Sequence, residues 1–513
     1  MKLFIVFSVL IVTSCASLPD VTDKPVSFAY QDTENTQLGR AIQSLTKSQR
    51  SETGLLPLQG GVDAFTARYV LSNAAERSID AQYYIWHDDL TGKLLVHALL
   101  EAANRGIRVR LLLDDINMAG KDNILATLDA HPNIEVRLFN PFANRNFRAM
   151  DIITDFRRIN RRMHNKSFTI DNQVTIVGGR NIGDEYFDAN PAADVQDFDL
   201  LAIGSVVHAV SQEFDSYWNS KFSVPVDALV TGSDEQAIEP IKKSLDNHVA
   251  QASNTVYIDA VKKSRLLNNI TAKKLTFFWD EAEVFYDDPQ KIDRDKEDDS
   301  THLRSKLDPL LADTQQEIII ISPYFIPGEK GVNRIKEAKD RGIDFRILTN
   351  SLSSTDVPLV YSSYSPYRIP LLELGVDLYE MKPTYRSRKK AKLMDVSSRA
   401  SLHSKVYIFD RKHIFVGSYN LDPRSTSINT EMGIFIKDTE IATHFAKWWD
   451  KSITQLAYKL ELDNTGKDFG DNELVWLDLA AETAKRYDDE PNAGTWMKLK
   501  NDFLSIFPLE GQL

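Results

Sequence analysis

Two short stretches of this 513-residue sequence carry the same reactive pattern. "MHNKSFTIDNQVTIVGGRN" runs from Met163 to Asn181, and "LHSKVYIFDRKHIFVGSYN" from Leu402 to Asn420. In each, a His is followed two residues on by a Lys and then by an Asp. After an apolar run come two small residues and an Asn. Residues i and i+2 of extended backbone share a face, so His164 stands beside Lys166 and His403 beside Lys405. An ammonium next to an imidazole lowers the imidazole pKa by like-charge repulsion, and the pair makes a place that welcomes an anion. If the two copies face each other, one anion meets two imidazoles and two ammoniums. That set suits phosphoryl transfer with no metal and no other cofactor. The lysines neutralise the phosphoryl oxygens, one His attacks phosphorus and the other protonates the leaving oxygen.

The elements that must position these residues are also duplicated. "ERSIDAQYYIW" (Glu76 to Trp86) reads as a strand, and "GKLLVHALLEAANRGIRVRLLLDD" (Gly92 to Asp115) as helix, Gly turn and strand. In the second half "QEIIIISPYFIP" (Gln316 to Pro327) and "GVNRIKEAKDRGIDFRILTN" (Gly331 to Asn350) repeat that order. Strands alternating with helices predict an α/β fold with a parallel or mixed sheet in each half. The expected division is a first half over 56–226, connecting helices over 227–275, a second half over 276–455 and a C-terminal extension over 456–513. "WHDD" (Trp86 to Asp89) and "LLLDD" (Leu111 to Asp115) end strands, and are read as turn and capping residues rather than metal ligands.

The doubled pattern H-x-K-x4-D-x6-G-G/S-x-N resembles the signature of the phospholipase D superfamily. The resemblance covers roughly residues 60 to 455 and implies duplicated α/β/α halves with the active site at their interface. By position it implies catalytic roles for His164, Lys166, Asp171, His403, Lys405 and Asp410. His164 is the expected nucleophile, forming a phosphohistidine, and His403 the general acid and then base; the sequence alone admits the reverse. Asn181 and Asn420 would hold phosphoryl oxygens with the lysines. Glu431 in "NTEMGIFI" matches the acidic residue that orients a catalytic His, and Asp199 in "DFDLLAIG" is its expected counterpart. Asp171 and Asp410 fall at turns, where they serve architecture more than chemistry.

"NTEMG", "GSYNLDPRS", "TNSLSSTDVP" and "LYEMKP" resemble the bacterial cardiolipin synthase branch, which implies transfer of a phosphatidyl group onto an alcohol of another phospholipid. The rivals are a hydrolase of the same fold that releases phosphatidic acid, and a secreted phosphodiesterase or nuclease. The net charge of −12 argues against a general nucleic-acid binder. Two local blocks oppose that balance. "NRNFRAMDIITDFRRINRR" (Asn144 to Arg162) and "RSRKKAK" (Arg386 to Lys392) precede the two motifs and are expected to meet anionic headgroups at a membrane surface. "SLSSTDVPLVYSSYSPYRIP" (Ser351 to Pro370), with Tyr361, Tyr364, Tyr367 and Arg368, is read as an acceptor-side loop. In the tail, Trp496, Leu499, Phe503 and Phe507 fall at helical spacing, an amphipathic helix suited to a membrane or to the body of the protein.

Lys2 is followed by the apolar run "LFIVFSVLIV" and then "TSC", the pattern of a secretory signal. "VTSC" resembles the lipobox of bacterial lipoproteins, which implies a signal peptide over 1–14 and lipidation of Cys15. Ala16 then favours sorting to the outer membrane, with the protein facing the periplasm. Cys15 is the only Cys, which excludes an intramolecular disulfide. Residues 15–55 are polar and are expected to act as a tether. Nothing in the sequence sets an oligomeric state.

Overall fold

The structure is a computed structural model that describes residues 17–505 apart from 48, 50–52, 191, 231–234, 296–297, 384–398, 438, 464–472 and 481–482. Cys15, the signal-like segment, the "RSRKKAK" block and Phe507 lie outside the described residues. In the first half the strands are β1 (Thr53–Leu58), β2 (Ser78–Tyr83), β3 (Arg108–Asp114), β4 (Ile134–Phe139), β5 (Ser167–Ile170), β6 (Val174–Gly178), β7 (Ala193–Gln196), β8 (Asp199–Gly204) and β9 (Ser223–Pro225). There follow β10 (Phe278–Asp280), β11 (Ala282–Tyr286), β12 (Glu317–Ile321), β13 (Asp344–Asn350), β14 (Asp377–Met381), β15 (Arg399–Leu402), β16 (Val406–Phe409), β17 (His413–Gly417), β18 (Met432–Ile436), β19 (Ala457–Asp463), β20 (Glu473–Asp478) and β21 (Lys485–Tyr487).

One sheet has the order β10-β1-β8-β6-β5-β2-β3-β4-β9, the other β11-β18-β17-β16-β12-β13-β14-β19-β20-β21. Leaving aside β7 and β15, which pair with each other, the strands from β1 to β9 recur in the same spatial order from β11 to β19, so the duplication expected from the sequence is a duplication of topology. β2, β3 and β4 run parallel, as do β12, β13 and β14. Strands of a parallel core are buried on both faces and read as unbroken apolar runs; "EIIII" of β12 is buried throughout.

Helices cover the outer face of each sheet. Between the sheets lie the helices Ser205–Trp218 and Glu440–Leu456, whose Val206, Val210, Phe445 and Trp449 share one core with Leu200 of β8 and Ile434 of β18. Phe198 meets Phe445 edge to face at 4.5 Å. The connecting helices pack on the first half, where Leu245, Tyr257, Val261 and Leu266 join its core.

Three expected boundaries change. β10 precedes the second half's first strand but joins the edge of the first sheet beside β1. Part of the C-terminal extension continues the second sheet, because β19 pairs with β14 and with β20. Much of the expected tether is docked: Arg110 donates to the Ser27 carbonyl at 3.0 Å, and the Asp215 carboxylate accepts the Ala29 N–H at 2.9 Å. The helix Gln37–Thr46 is capped by Thr36. Polar composition misled the reading, since those polar groups bond to buried charges of the body.

Asp171 and Asp410 each open a tight turn in which they and the next residue, Asn172 or Arg411, have positive φ. Asp and Asn tolerate this region better than most residues. The Asp171 carboxylate accepts the backbone N–H groups of Glu76, Arg77 and Ser78. Asp410 accepts those of Gln315, Gln316 and Glu317. Each Asp therefore ties its hairpin to the start of the central parallel strand, β2 or β12, as the turn position suggests. Asp171→Ala is expected to cost about 2 kcal/mol, the scale of charge-assisted backbone hydrogen bonds left unmade. Asp410→Ala should cost less, because Gln315 and Gln316 are exposed. Thermal denaturation measures both; turnover below the melting range should stay near normal, and a hundredfold loss there would give these residues a direct chemical role.

Candidate active site

The His-bearing segments lie just before β5 and β16, and each is hydrogen-bonded to the opposite half. The His164 N–H donates to the Thr430 carbonyl at 2.9 Å, and the Thr430 N–H to the Arg162 carbonyl at 2.9 Å. The counterpart is a parallel pairing of β15 with β7, extended by the His403 N–H donating to the Gln196 carbonyl at 2.8 Å. The residue after each of these carbonyls is an acid, Glu431 or Asp197. His164 Nδ1 lies 2.8 Å from Glu431 Oε2, and His403 Nδ1 lies 2.6 Å from Asp197 Oδ2. Each imidazole is thus oriented by a carboxylate from the other half.

Further contacts fix the pairs. Glu431 accepts hydrogen bonds from the Ser418 and Ser425 hydroxyls, and its own N–H donates to Asp287, which pairs with Lys291 in full burial. Asp114, at the end of β3, accepts the Met163 N–H at 2.8 Å; Asn350, at the end of β13, accepts the Leu402 N–H at 2.9 Å. Equivalent strand ends therefore hold the backbone just ahead of each His. Tyr84 stands edge-on to His164 at 5.0 Å and Tyr186 to His403 at 5.2 Å. Asn165 alternates away from His164 and Lys166, donating to Glu213 at 2.7 Å and accepting from Thr430.

Lys166 donates to the His164 carbonyl at 2.6 Å, and Lys405 to that of His403. Asn181 Oδ1 accepts the Ile85 N–H at 3.3 Å, and its amide donates to the Tyr186 hydroxyl at 3.1 Å. Asn420 Oδ1 is buried with no hydrogen-bond partner among the described residues.

Asp199 is not the partner of His403. Its carboxylate pairs with Arg68 at 2.9 Å and accepts the Arg180 N–H at 3.2 Å. Strand register explains the correction: Gly178 pairs with Asp199, and Gly417 with Gly433. Two residues before those partners stand Asp197 and Glu431. The signal was in the sequence, as acid-apolar-x-apolar in "DFDL" and "EMGI". The glycines confirm it physically. A Cβ on Gly179 would fall 2.2 Å from Asp197 Oδ1, so the first half needs Gly there. The second half has Ser418 instead, whose hydroxyl holds Glu431.

The first basic block is mostly spent inside the protein. Arg145 and Arg148 pair with Asp115, Arg162 with Asp114, and Arg161 donates to the Arg294 carbonyl at 2.7 Å. Asp114 and Asp115 consume the charge expected to meet headgroups; Arg157 remains largely exposed. Asp89 and Asp114 do cap the helical turns that follow them. The expected acceptor-side tyrosines change role too. Tyr361 and Tyr364 are buried, and Arg368 donates to the Tyr361 hydroxyl at 2.7 Å and pairs with Glu490.

Burial, then Lys166, Lys405 and His403 together, push His164 well below the ordinary imidazole value. Burial raises Glu431, against the opposing charge of Lys166 and the serine hydroxyls. His164 is therefore held neutral, while burial makes charge on Glu431 costlier than on an exposed carboxylate. His403 is lowered by burial and Lys405, with Asp197 opposing. Burial works against Asp197, yet His403 and Lys405 hold it below the usual carboxylate range. An ionised Asp197 facing a neutral imidazole requires Nδ1–H to donate, which leaves Nε2 of His403 with a free lone pair. Burial lowers Lys166 to about 7 and Lys405 to about 8. Two imidazoles beside two lysines whose full charge an anion would restore make an arrangement suited to phosphoryl transfer.

A family model described as "Cardiolipin synthase, PLD-like domain" matches residues 70–218 and 307–453, one His/Lys pair in each segment. The chain belongs to this family. Cardiolipin synthase C of Escherichia coli (strain K12) is 40% identical over 476 residues, which is 92% of this chain and 99% of that one. Cardiolipin synthase 1 of Staphylococcus aureus (strain COL) is 27% identical over 387 residues, 74% of this chain and 63% of its own. The crystal structure of phosphatidylserine synthase from Haemophilus influenzae Rd KW20 has the same fold, with a TM-score of 0.54 at 13% identity over 82% of this chain and 91% of its own. This PLD-like chain is accordingly an enzyme of the phospholipase D type.

Two predictions follow from the geometry. Asp197→Asn should lower kcat/KM on a soluble phosphodiester by roughly a hundredfold or more, the scale of losing an oriented acid-base imidazole. Asp199→Asn should instead lower the melting temperature, because it leaves Arg68 buried beside a neutral amide. The pH dependence follows from the lysines. As pH rises through 7 to 8 the free enzyme loses Lys166 and Lys405 charge, so kcat/KM should fall on the alkaline side. A bound phosphate raises those pKa values, so kcat should fall less.

Proposed function

We propose that the enzyme moves a phosphatidyl group between membrane phospholipids through a phosphohistidine. The observation that carries this reading is the crossed arrangement of His164–Glu431 and His403–Asp197 with a Lys beside each His. His164 Nε2 attacks the phosphorus of the donor phospholipid. A P–N bond forms, the P–O bond to the headgroup alcohol breaks, and the imidazolium of His403 gives its proton to the leaving oxygen. The acceptor hydroxyl then gives its proton to His403 and attacks phosphorus, and the P–N bond breaks. Overall one phosphodiester is exchanged for another, with no redox change.

The pKa directions support this order. His164 is the imidazole held neutral most strongly, as a nucleophile needs. His403 is lowered as well, but the ionised Asp197 opposes that shift and a bound phosphodiester adds to its effect, favouring the imidazolium a general acid needs. Lys166, Lys405, Asn181 and Asn420 would hold the phosphoryl oxygens. Kinship over nearly the whole length of a cardiolipin synthase supports a second phospholipid as acceptor. Lipidation at Cys15, carried by "VTSC", would keep the enzyme at its substrate.

The test supplies phosphatidylglycerol vesicles, alone and with phosphatidylethanolamine, and resolves the products by mass spectrometry. Cardiolipin as main product is expected. Phosphatidic acid alone would make the enzyme a hydrolase, and cleavage of DNA with no lipid product would overturn both. With a labelled-phosphorus donor whose leaving group needs no proton, such as a nitrophenyl ester, His403→Ala should accumulate acid-labile label on protein and His164→Ala should carry none; the opposite pattern would exchange their roles.

A further inference from the structure

Each half carries an exposed apolar patch on a segment tied to strand ends that hold the site. In the first half the segment after β4 rises as two short helices, Ala149–Thr154 and Phe156–Ile159, then returns to His164. Phe147, Ile152, Ile153 and Phe156 are exposed on it, Ile153 at 78%. The projection is built rather than loose. The Asp151 carboxylate accepts the N–H groups of Ala143 and Asn144, and Arg148 donates to the Asp115 carbonyl at 2.7 Å. Asn140 donates to the carbonyls of Arg158 and Arg161. So the arginines that do not meet headgroups clamp the base of an apolar tip.

In the second half the helix Thr495–Ser505 turns its apolar stripe outward. Trp496, at 80%, Leu499 and Phe503 are exposed on one face, while Asn501 is buried and Met497 packs on the second half's core. An amphipathic helix docked for its own stability would bury the opposite stripe. This helix packs on the helix Pro358–Tyr364, and the loop before it receives a hydrogen bond from Ser353 at the Pro491 carbonyl. Ser353 follows the C-terminal end of β13, as the first-half projection follows that of β4. Asn140 after β4 holds the segment before His164, and Asn350 at the end of β13 holds the segment before His403, so both patches follow strand ends that reach the site.

We propose that these two patches are one docking surface for a phospholipid bilayer, inserting on either side of the site so that both of its substrates are drawn directly from lipid. The substrate class is that of the proposed function, on which this inference rests. Several features fit a bilayer rather than a second copy. Trp496 combines an apolar body with an N–H, which suits the interface between acyl chains and headgroups. Lys500 is exposed beside Leu499 and matches an anionic headgroup, and Arg157, exposed beside Phe156, can exchange its surface partner Asp295 for one. The net charge of −12 opposes any purely electrostatic approach to an anionic membrane, so insertion of apolar side chains must hold the contact.

The test uses the full chain with Cys15→Ser, so that a lipid anchor cannot hold it at the membrane, and single cysteines Ile153→Cys or Leu499→Cys labelled with an environment-sensitive fluorophore. On phosphatidylglycerol vesicles both labels should shift to the blue, brighten and resist a water-soluble quencher, with little loss at high salt. Ile153→Asp with Phe156→Asp should cut turnover on vesicles by about tenfold or more, the effect of removing inserted apolar side chains. Turnover of monomeric short-chain phosphatidylglycerol should stay unchanged, which also shows that the variant folds. Absence of the shift at either site, equal loss on both substrates, or a change of mass in light scattering with vesicle binding intact would overturn the docking surface; the last would mean that a second copy covers it. Should the unaltered chain turn over neither lipid, the proposed function fails, while the fluorescence still decides the docking.

Discussion

Everything at the centre of this molecule depends on one crossed pairing of backbone. The strand end that precedes each catalytic imidazole hydrogen-bonds to the other half's chain one residue before an acid. The step from Thr430 to Glu431, or from Gln196 to Asp197, then delivers a carboxylate to the opposite His. Neither half alone can orient its own imidazole. The shared core of Phe198, Leu200, Phe445 and Ile434 therefore supports chemistry as well as stability, because any shift between the sheets moves both pairs together.

The two copies solve the same problem with different atoms. Asp197 is short, and the first half brings it close by leaving Gly179 without a side chain. Glu431 is longer, and the second half secures it with Ser418 and Ser425 hydroxyls and with Asp287 on its backbone. The electrostatics diverge as a result. The first arrangement keeps Asp197 ionised beside His403, and the second leaves Glu431 raised beside a neutral His164. A duplicated site can in this way assign different tasks to two chemically identical imidazoles, which is what nucleophile and acid require.

Burial costs both lysines part of their charge, and a phosphate restores it. The site is therefore tuned to become fully cationic only when a phosphodiester is present. The same economy governs the surface around it: three arginines of the first basic block neutralise buried acids, and Phe147, Ile152, Ile153 and Phe156 are exposed there.

The sequence by itself determined the duplication, the α/β class, the His/Lys pairs and the turn roles of Asp171 and Asp410. These rest on local periodicity, on the two-residue face rule and on turn preferences, all carried by neighbours in the chain. It also held the acid-apolar pattern of "DFDL" and "EMGI", but "DFDL" has two acids and nothing local says which of them meets the His. Only the tertiary structure decided that Asp197 reaches His403 while Asp199 serves Arg68, that Ser27 and Ala29 are docked, and that Tyr361 and Arg368 lie inside. Most of these are pairings between segments far apart in sequence. A side chain's type shows that it needs a partner; which of several candidates it meets is fixed by strand register and by the packing of one half on the other.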